Sequence, residues 1–473
     1  MTEPSPGENS SGRLLTGSVR TTVLWLAFPV LLEQLLSFFV GFYDTWLSGR
    51  ISAEATTAIG LAAYVGWLAS MLFSLVGTGT TALVARSWGA GEYVTANRVT
   101  NRSMAMAGVM GVLVYGVIYS TAPLFTRFLN MSPETARITI RYVRIDGFGH
   151  LFTGLSLAGA AALRGVGDMR SPMLILGLVN VLNVIVSTAL VFGIGPVPAL
   201  GIDQPLLAPW GIDGIVGGTV TARLIGGVVM LVALSRGLSG LRLLRRELRL
   251  RGETVRRILR VGGPAALDGL IMWAGQFLYL MIIARLGVGE GGLDKAIFAA
   301  HIIGVRVEAI TYLPAVAWGA ATATLVGQTL GAGDRKRAVR IGHEAVLQCT
   351  LLGLVITAVF YFGAGIIYRL MHTDPAVQQI GTEAFRMLAF FQVPLVVSIV
   401  YISALRGAGD TRTPLLFTIF GLALIRLPLG YLFGIVLHGG LYGAWIGMCG
   451  DMLIRAIFAA WRFHGGRWLD SKI

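Results

Sequence analysis

The chain is poor in charge, very poor in lysine and nearly free of cysteine. Charged residues make up 13% of its 473 positions against 55% hydrophobic ones, far too few to cover a water-soluble surface of this size. An ordinary soluble globular protein is therefore excluded. The two cysteines, Cys349 and Cys449, both lie in apolar surroundings and suggest neither a disulfide framework nor a metal site. The only lysines are Lys295, Lys336 and Lys472, and no G-x-x-x-x-G-K-[ST] sequence occurs, which argues against ATP-driven transport by this chain alone. There is no metal-ligand cluster and no nucleophile–base spacing that would argue for an enzyme, and nothing calls for a cofactor. The opening MTEPSPGENSSGRLLTGSVR lacks a short apolar core with a cleavage site and reads as a polar tail instead of a signal peptide.

What is abundant is apolar sequence in long blocks. These fall near 22–48, 57–84, 100–123, 138–163, 172–194 and 212–235, then 261–287, 297–325, 341–368, 381–404, 414–436 and 441–461. Each is close to the ~20 residues that a helix needs to cross about 30 Å of hydrocarbon. The pattern predicts an all-α membrane protein of about twelve spans. The net charge of +14 could suggest nucleic acid, but arginine is scattered through alternate connectors. Arg86, Arg98 and Arg102 lie in one, Arg164 and Arg170 in another, and RGLSGLRLLRRELRLRGETVRRILR fills the middle of the chain. DRKR at 334–337, LRGAGDTR at 405–412 and a tail with Arg462, Arg467 and Lys472 continue the series. The positive-inside rule makes this face cytoplasmic and places both termini there. Arg137, Arg141 and Arg144 fall on the opposite side, at helical spacing that suits an amphipathic entry turn.

The chain is also internally repeated. ALVARSWGAGE at 82–92 matches TLVGQTLGAGD at 324–334, and the same shift of 242 superposes ALRGVGDMRSPML at 162–174 on ALRGAGDTRTPLL at 404–416. Nearer the start the offset is 235, aligning Pro29 with Pro264 and Glu33 with Asp268. Six spans per copy is an even number, so the repeats are parallel in topology, a common build of secondary transporters with a central cleft. The expected organisation is a polar cytoplasmic tail at 1–20, an N-lobe at 21–238, a basic connector at 239–260, a C-lobe at 261–463 and a short tail at 464–473.

These residues resemble the multidrug and toxic compound extrusion (MATE) antiporters. The likeness is carried by FPVLLEQLLSFFVGFYDTWLSGR, the paired LGAG and LRGxGD loops, AAHIIGVRVEAITYLP at 299–314 and LIRLPLGYL at 424–432. The resemblance implies twelve helices in two lobes around a cleft, and efflux of organic, often cationic, compounds in exchange for H+ or Na+. Asp44 matches the family's first-helix acid, implicated in cation coupling, so a Na+ ion at Asp44 is one option. One branch of the family has a fifth-helix acid four residues after an asparagine. Here NVLNVIVS supplies Asn180 and Asn183, but the acid's position is Ser187. Another branch has an acid eight residues after the seventh-helix proline, where this chain has Met272, while Asp268 stands four after Pro264.

Acids inside membrane spans are costly and usually face a cavity or a partner. Glu33 and Asp44 are eleven residues apart, almost three turns, and share one helix face. Asp44 is either a coupling acid or a residue near the helix end. Glu33 and its repeat partner Asp268 are either coupling groups or members of structural ion pairs. Asn180, Asn183 and Ser187 follow one helical stripe and serve either a cation or the contact between helices. Arg306, Glu308 and Arg426 are further intramembrane charges, expected to find partners within their own lobe. The paired LRGxGD loops are expected to form tight turns.

The function expected from all of this is secondary active multidrug efflux with Asp44 as coupling acid. Its partners would be small organic substrates, H+ or Na+ and the bilayer of the cell (inner) membrane, with no nucleic acid. The alternative is a flippase for lipid-linked or polysaccharide precursors, which a cationic cleft would favour.

Overall fold

A computed structural model describes residues 16–195, 206–250, 252–288 and 293–471. Most of the proposed 1–20 tail, the middle of the 193–213 connector and Lys472 lie outside the described residues. Those described form helices and turns, with one isolated β-contact between Ile194 and Leu207.

The first six helices are α1 (Val19–Gly49), α2 (Ala53–Gly89), α3 (Tyr93–Phe128), α4 (Pro133–Gly165), α5 (Arg170–Phe192) and α6 (Ile212–Ser235). Then follow α7 (Glu253–Ile283), α8 (Leu293–Gly331), α9 (Arg335–Met371), α10 (Pro375–Ala389), α11 (Gln392–Gly407), α12 (Arg412–Val436) and α13 (Gly440–His464). Among the described residues ten of these are long and apolar enough to cross a bilayer singly, and α10 with α11 make an eleventh across a 50° bend. The remaining expected block is α4. It has 33 residues, but Arg137, Arg141, Arg144, Asp146 and His150 make it too polar to stand out by composition.

The block expected at 381–404 is thus two helices, and Pro394 explains the break. Its ring displaces the carbonyl four residues back and it donates no backbone hydrogen bond. At the bend Thr357 Oγ1 donates to Ala389 O at 2.9 Å, and Gln392 Nε2 at 3.0 Å joins Phe391 N at 2.9 Å in donating to Leu388 O. In α12 the stretches Gly421–Arg426 and Leu432–Val436 widen into π-helical turns on either side of Leu427–Tyr431, which carries Pro428.

The helices pack as two compact units. Unit 1 takes in Leu32–Trp88 and Glu92–Gly262; unit 2 runs from Gly263 onward and includes the start of α1 up to Leu31 and the Gly89–Gly91 turn. Leu47, Phe73, Tyr142 and Ile215 are among the buried side chains of unit 1. Tyr279, Tyr368, Phe385 and Trp445 are among those of unit 2. The basic connector is held against α3 in unit 1. Asn97 Oδ1 accepts from Arg242 N, Asn101 Oδ1 accepts from Leu244 N, and Arg98 pairs with Glu247. At the C-terminus Trp468 is buried against Phe463.

The duplicated loops repeat in backbone geometry as well as in sequence. Gly91 and Gly333 have φ of +76° and +82°, and Gly167 and Gly409 have +92° and +94°. Only glycine takes such angles without strain. The aspartate after each LRGxG caps the next helix. Asp168 Oδ1 accepts from Arg170 N and Ser171 N, and Asp410 Oδ1 accepts from Thr413 N.

Candidate functional site

Unit 1 holds a polar cluster between α1, α4, α5 and α6. Asp44 enters it from the last turns of α1, and its Oδ1 is buried without a hydrogen-bond partner among the described residues. Arg223 of α6, Asn183 of α5 and Asp146 of α4 are the groups that act on it. Asp146 is itself engaged twice. Its Oδ1 accepts from Arg223 Nη1 at 2.9 Å, and its Oδ2 lies 3.2 Å from Nε2 of His150, one helical turn on. His150 is buried, and neither ring nitrogen meets hydrogen-bond geometry. Tyr142, one turn before Asp146, is buried in the same field.

Small residues make this arrangement possible. A Cβ at Gly149 would sit 3.1 Å from Cδ of Arg223, and one at Gly66 would sit 3.3 Å from Cε1 of His150. On α6 a Cβ at Gly218 would stand 2.5 Å from the backbone N of Ser187. The glycine there lets α5 and α6 close to backbone contact, as small residues do between membrane helices.

The fifth-helix stripe divides in two. Asn183 Nδ2 donates to Thr219 Oγ1 at 3.2 Å, while Ser187 Oγ donates to Asn183 Oδ1 at 3.1 Å and to Ile215 O at 3.3 Å. These join α5 to α6 beside Asp44. Asn180 instead donates to Ser37 Oγ at 3.1 Å and joins α5 to α1. Next to it α1 and α5 form an open apolar groove of about 550 Å³, with Leu36, Phe39, Phe42, Tyr43 and Trp46 on one side and Val181 and Ile185 on the other.

Glu33 and Asp268 lie apart from this cluster. Glu33 accepts from Arg164 Nη2 at 2.6 and 2.7 Å on its two oxygens. Asp268 accepts from Nη2 of Arg406. The arginines of the LRGxGD loops therefore pair with these helix acids and not with the aspartates of their own loops. Asp168 also accepts from Ser239 Oγ, and Asp410 accepts from Arg462 at 2.7 and 2.9 Å.

A second buried charge network lies in unit 2. Asp451 of α13 bridges two arginines, Arg426 at 2.8 Å and Arg455 at 2.6 Å. Arg426 also donates to Gln276 Oε1 at 3.2 Å, and Arg455 Nη1 lies 3.2 Å from Sδ of Met272. The position where one branch of the resembled family carries an acid is thus a methionine facing an arginine. Glu308 is buried nearby, with Oε1 unpartnered and no ion pair among the described residues. Arg306 is exposed and makes no ion pair among the described residues. The expectation that each of these charges finds a partner in its own lobe fits Arg426 alone.

Sequence reasoning passed over Asp146, His150, Arg223, Asp451 and Arg455. A signal was available: an acid and a histidine at i and i+4 on one helix, and an arginine in the middle of the apolar run 212–235.

Comparison with known proteins sets this geometry in context. A family model described as MatE matches residues 29–188 and 264–432. The "Probable multidrug resistance protein NorM" of Thermotoga maritima is 26% identical over 457 residues, covering 95% of this chain and 93% of its own. The "Multidrug resistance protein NorM" of Vibrio vulnificus strain YJ016 is 26% identical, with 96% of each chain covered. A solved MOP superfamily transporter from Pyrococcus furiosus, described as having a binding pocket of reverse polarity, superposes with a TM-score of 0.86 over the full length of both chains at 20% identity. A solved MATE in complex with MaD3S superposes with a TM-score of 0.85 at 21% identity, covering 96% of this chain and 98% of its own. The fold is the one those transporters share, and with the family model matched across both halves, the chain belongs to the MatE family of multi-pass membrane transporters.

Proposed function

We propose that this protein is a secondary active antiporter that exports organic, chiefly cationic, compounds in exchange for H+ or Na+ by alternating access, with Asp44 as the coupling acid. The observation that carries the reading is the buried, unpartnered Oδ1 of Asp44 in a cluster of two carboxylates and one arginine. A carboxylate left short of partners inside a membrane binds a counter-charge or gives up its own. A proton or metal ion and a cationic substrate then compete for it, and that competition is exchange. The aromatic groove beside Tyr43 offers apolar and π-faced surface, which suits organic cations. Two carboxylates against one arginine in the Asp44 cluster run against a phosphate-bearing lipid precursor. The names of the relatives, multidrug resistance proteins, agree with an efflux role.

Glu33 and Asp268 are read here as architecture, each clasped by an arginine of its own unit. Asn183 and Ser187 position the surroundings of Asp44. The protein is placed in the cell (inner) membrane with both termini cytoplasmic, and its transport lobes are assigned to 21–238 and 261–463. Ethidium accumulation in cells with and without the gene, with proton and sodium gradients collapsed in turn, tests the reading. Expression should lower accumulation, and collapsing the coupling gradient should restore it. Equal accumulation with and without the gene, for every organic cation tried, would overturn it.

A further inference from the structure

We infer that the basic connector between α6 and α7 is a binding surface for the headgroups of anionic phospholipids. Arg242, Arg245, Arg246 and Arg249 are its phosphate ligands, and Leu248 and Leu250 are the apolar side chains that enter between the lipids. This surface is independent of the antiport reading above and needs neither Asp44 nor a coupling ion.

Charge is concentrated here beyond what sidedness requires. Residues 236–260 hold nine arginines against two glutamates, half of the chain's net charge of +14. Positive-inside orientation asks only for a few cations near the helix ends, and the loop LRGVGDMR carries two. Arg242, Arg245, Arg246 and Arg249 are exposed, and none makes an ion pair among the described residues. The acids on the adjoining segments are Glu92, Glu247 and Glu253. Glu247 is taken by Arg98 at 3.5 Å, and the other two leave a large surplus of cation.

The connector is fixed through its backbone, which leaves the guanidinium groups unspent. Asn97 Oδ1 accepts from Arg242 N at 2.7 Å, and Asn101 Oδ1 accepts from Leu244 N at 2.6 Å. Asn101 Nδ2 donates to Arg242 O at 2.9 Å. Leu241 is buried, and Leu243 N donates to Leu234 O at 3.0 Å. Arg245–Glu247 then make a single tight helical turn. Cations carried on an ordered backbone bind at a lower entropic cost than those on a free chain.

The same anchors set the depth. Asn97 and Asn101 stand at the polar start of α3, where the helix leaves the apolar run near 100–123. Tyr93 is exposed there, with its ring 4.7 Å from that of Trp88, as aromatics stand at a membrane–water boundary. The connector crosses that indole closely, since a Cβ on Gly240 would sit 2.8 Å from the Trp88 ring. At this level Leu248 and Leu250 are 40% and 42% exposed, on either side of Arg249. Arginine and leucine side by side are the pattern of a segment lying in the headgroup region. A guanidinium grips a phosphate with two parallel hydrogen bonds. The exposed leucines decide between a lipid and a free anion, because only a lipid offers them hydrocarbon.

The test is the melting of the full-length protein in detergent with phosphatidylglycerol or phosphatidylcholine added. Phosphatidylglycerol should raise Tm by several degrees more than phosphatidylcholine does, and high salt should erase the difference. Arg242→Gln, Arg245→Gln, Arg246→Gln and Arg249→Gln together should remove most of it. Leu248→Asn with Leu250→Asn keeps every charge and should lose part of it. An equal shift from both lipids in the unmodified protein, or an undiminished phosphatidylglycerol shift in the fourfold variant, overturns the assignment. Inorganic phosphate or polyphosphate matching phosphatidylglycerol would give the surface to a soluble anion and overturn it as well. Should the fourfold variant fail to elute as a folded protein, the leucine variant decides, and an undiminished phosphatidylglycerol shift there sinks the proposal.

Discussion

Glu33 takes both of its contacts, at 2.6 and 2.7 Å, from a single nitrogen of Arg164 at the far end of α4. The repeat places Asp268 where Glu33 stands and Arg406 where Arg164 stands, and these two also pair. Each unit therefore fastens its first helix to the loop that closes its glycine turn. A clasp of this kind, less than a third exposed on either side, is costly to break from one end only.

Replacing Arg164 with Met should destabilise the protein by about 3–5 kcal/mol, because Glu33 is left buried and unpaired. Replacing both, as Glu33→Gln with Arg164→Met, should recover most of that loss. Melting of the detergent-solubilised variants measures both. A single variant as stable as the unmodified protein would remove the clasp from the stability account.

Asp44→Asn should leave the protein folded and inserted while abolishing efflux. The amide has nearly the same shape but can neither release a proton nor balance a cation. Monodisperse elution together with unprotected cells in an ethidium accumulation assay is the expected pair of results. Protection equal to that of the unmodified gene would remove Asp44 from the mechanism.

Two of the buried acids of unit 2, Asp451 and Glu308, should respond to very different degrees. Asp451 is fully buried and serves two arginines, so Asp451→Asn strands two cations and should cost more than about 3 kcal/mol. Glu308 is buried with no ion pair among the described residues, so Glu308→Gln strands no direct partner and should cost clearly less than Asp451→Asn. Paired melting curves decide it, and a larger loss at Glu308 would contradict the geometry.

Gly218→Val should prevent normal folding. Even its Cβ would stand 2.5 Å from the backbone N of Ser187, and backbone cannot step aside as a flexible side chain can. Gly217→Ala makes the control, since its Cβ meets no backbone, only the end of the Leu190 side chain at 3.3 Å and the edge of the Trp210 ring at 3.9 Å. The yield of monodisperse protein from the two variants should differ sharply.

Hydropathy made the spans legible because bilayer thickness fixes their length, and the duplication was legible because its glycine turns need particular residues. The bend at Phe390–Phe391 was less so, although Pro394 was in plain view, because a proline in an apolar run also occurs within unbroken helices such as α8 with Pro314. Asp44 and Asn183 could be singled out as polar residues in apolar runs. Asp146 and His150 carried a weaker signal, their i, i+4 spacing, because Arg137, Arg141 and Arg144 give α4 the look of an interfacial helix. In the structure Arg141 meets Asp213 at 2.8 Å and Arg144 lies over the ring of Tyr119 at 4.2 Å, while the same helix turns Asp146 inward. Pairing across helices is not a property of one segment, so Arg223 gained its meaning only beside α4.

The position that repeats Asp44 in the second half is Tyr279, whose hydroxyl donates to Ala444 O at 2.8 Å and whose ring is fully buried. The clasp is present in both halves, whereas this one repeated position carries a buried, hydrogen-bonded aromatic in one half and a chargeable group in the other, so two halves built to one plan are chemically unequal.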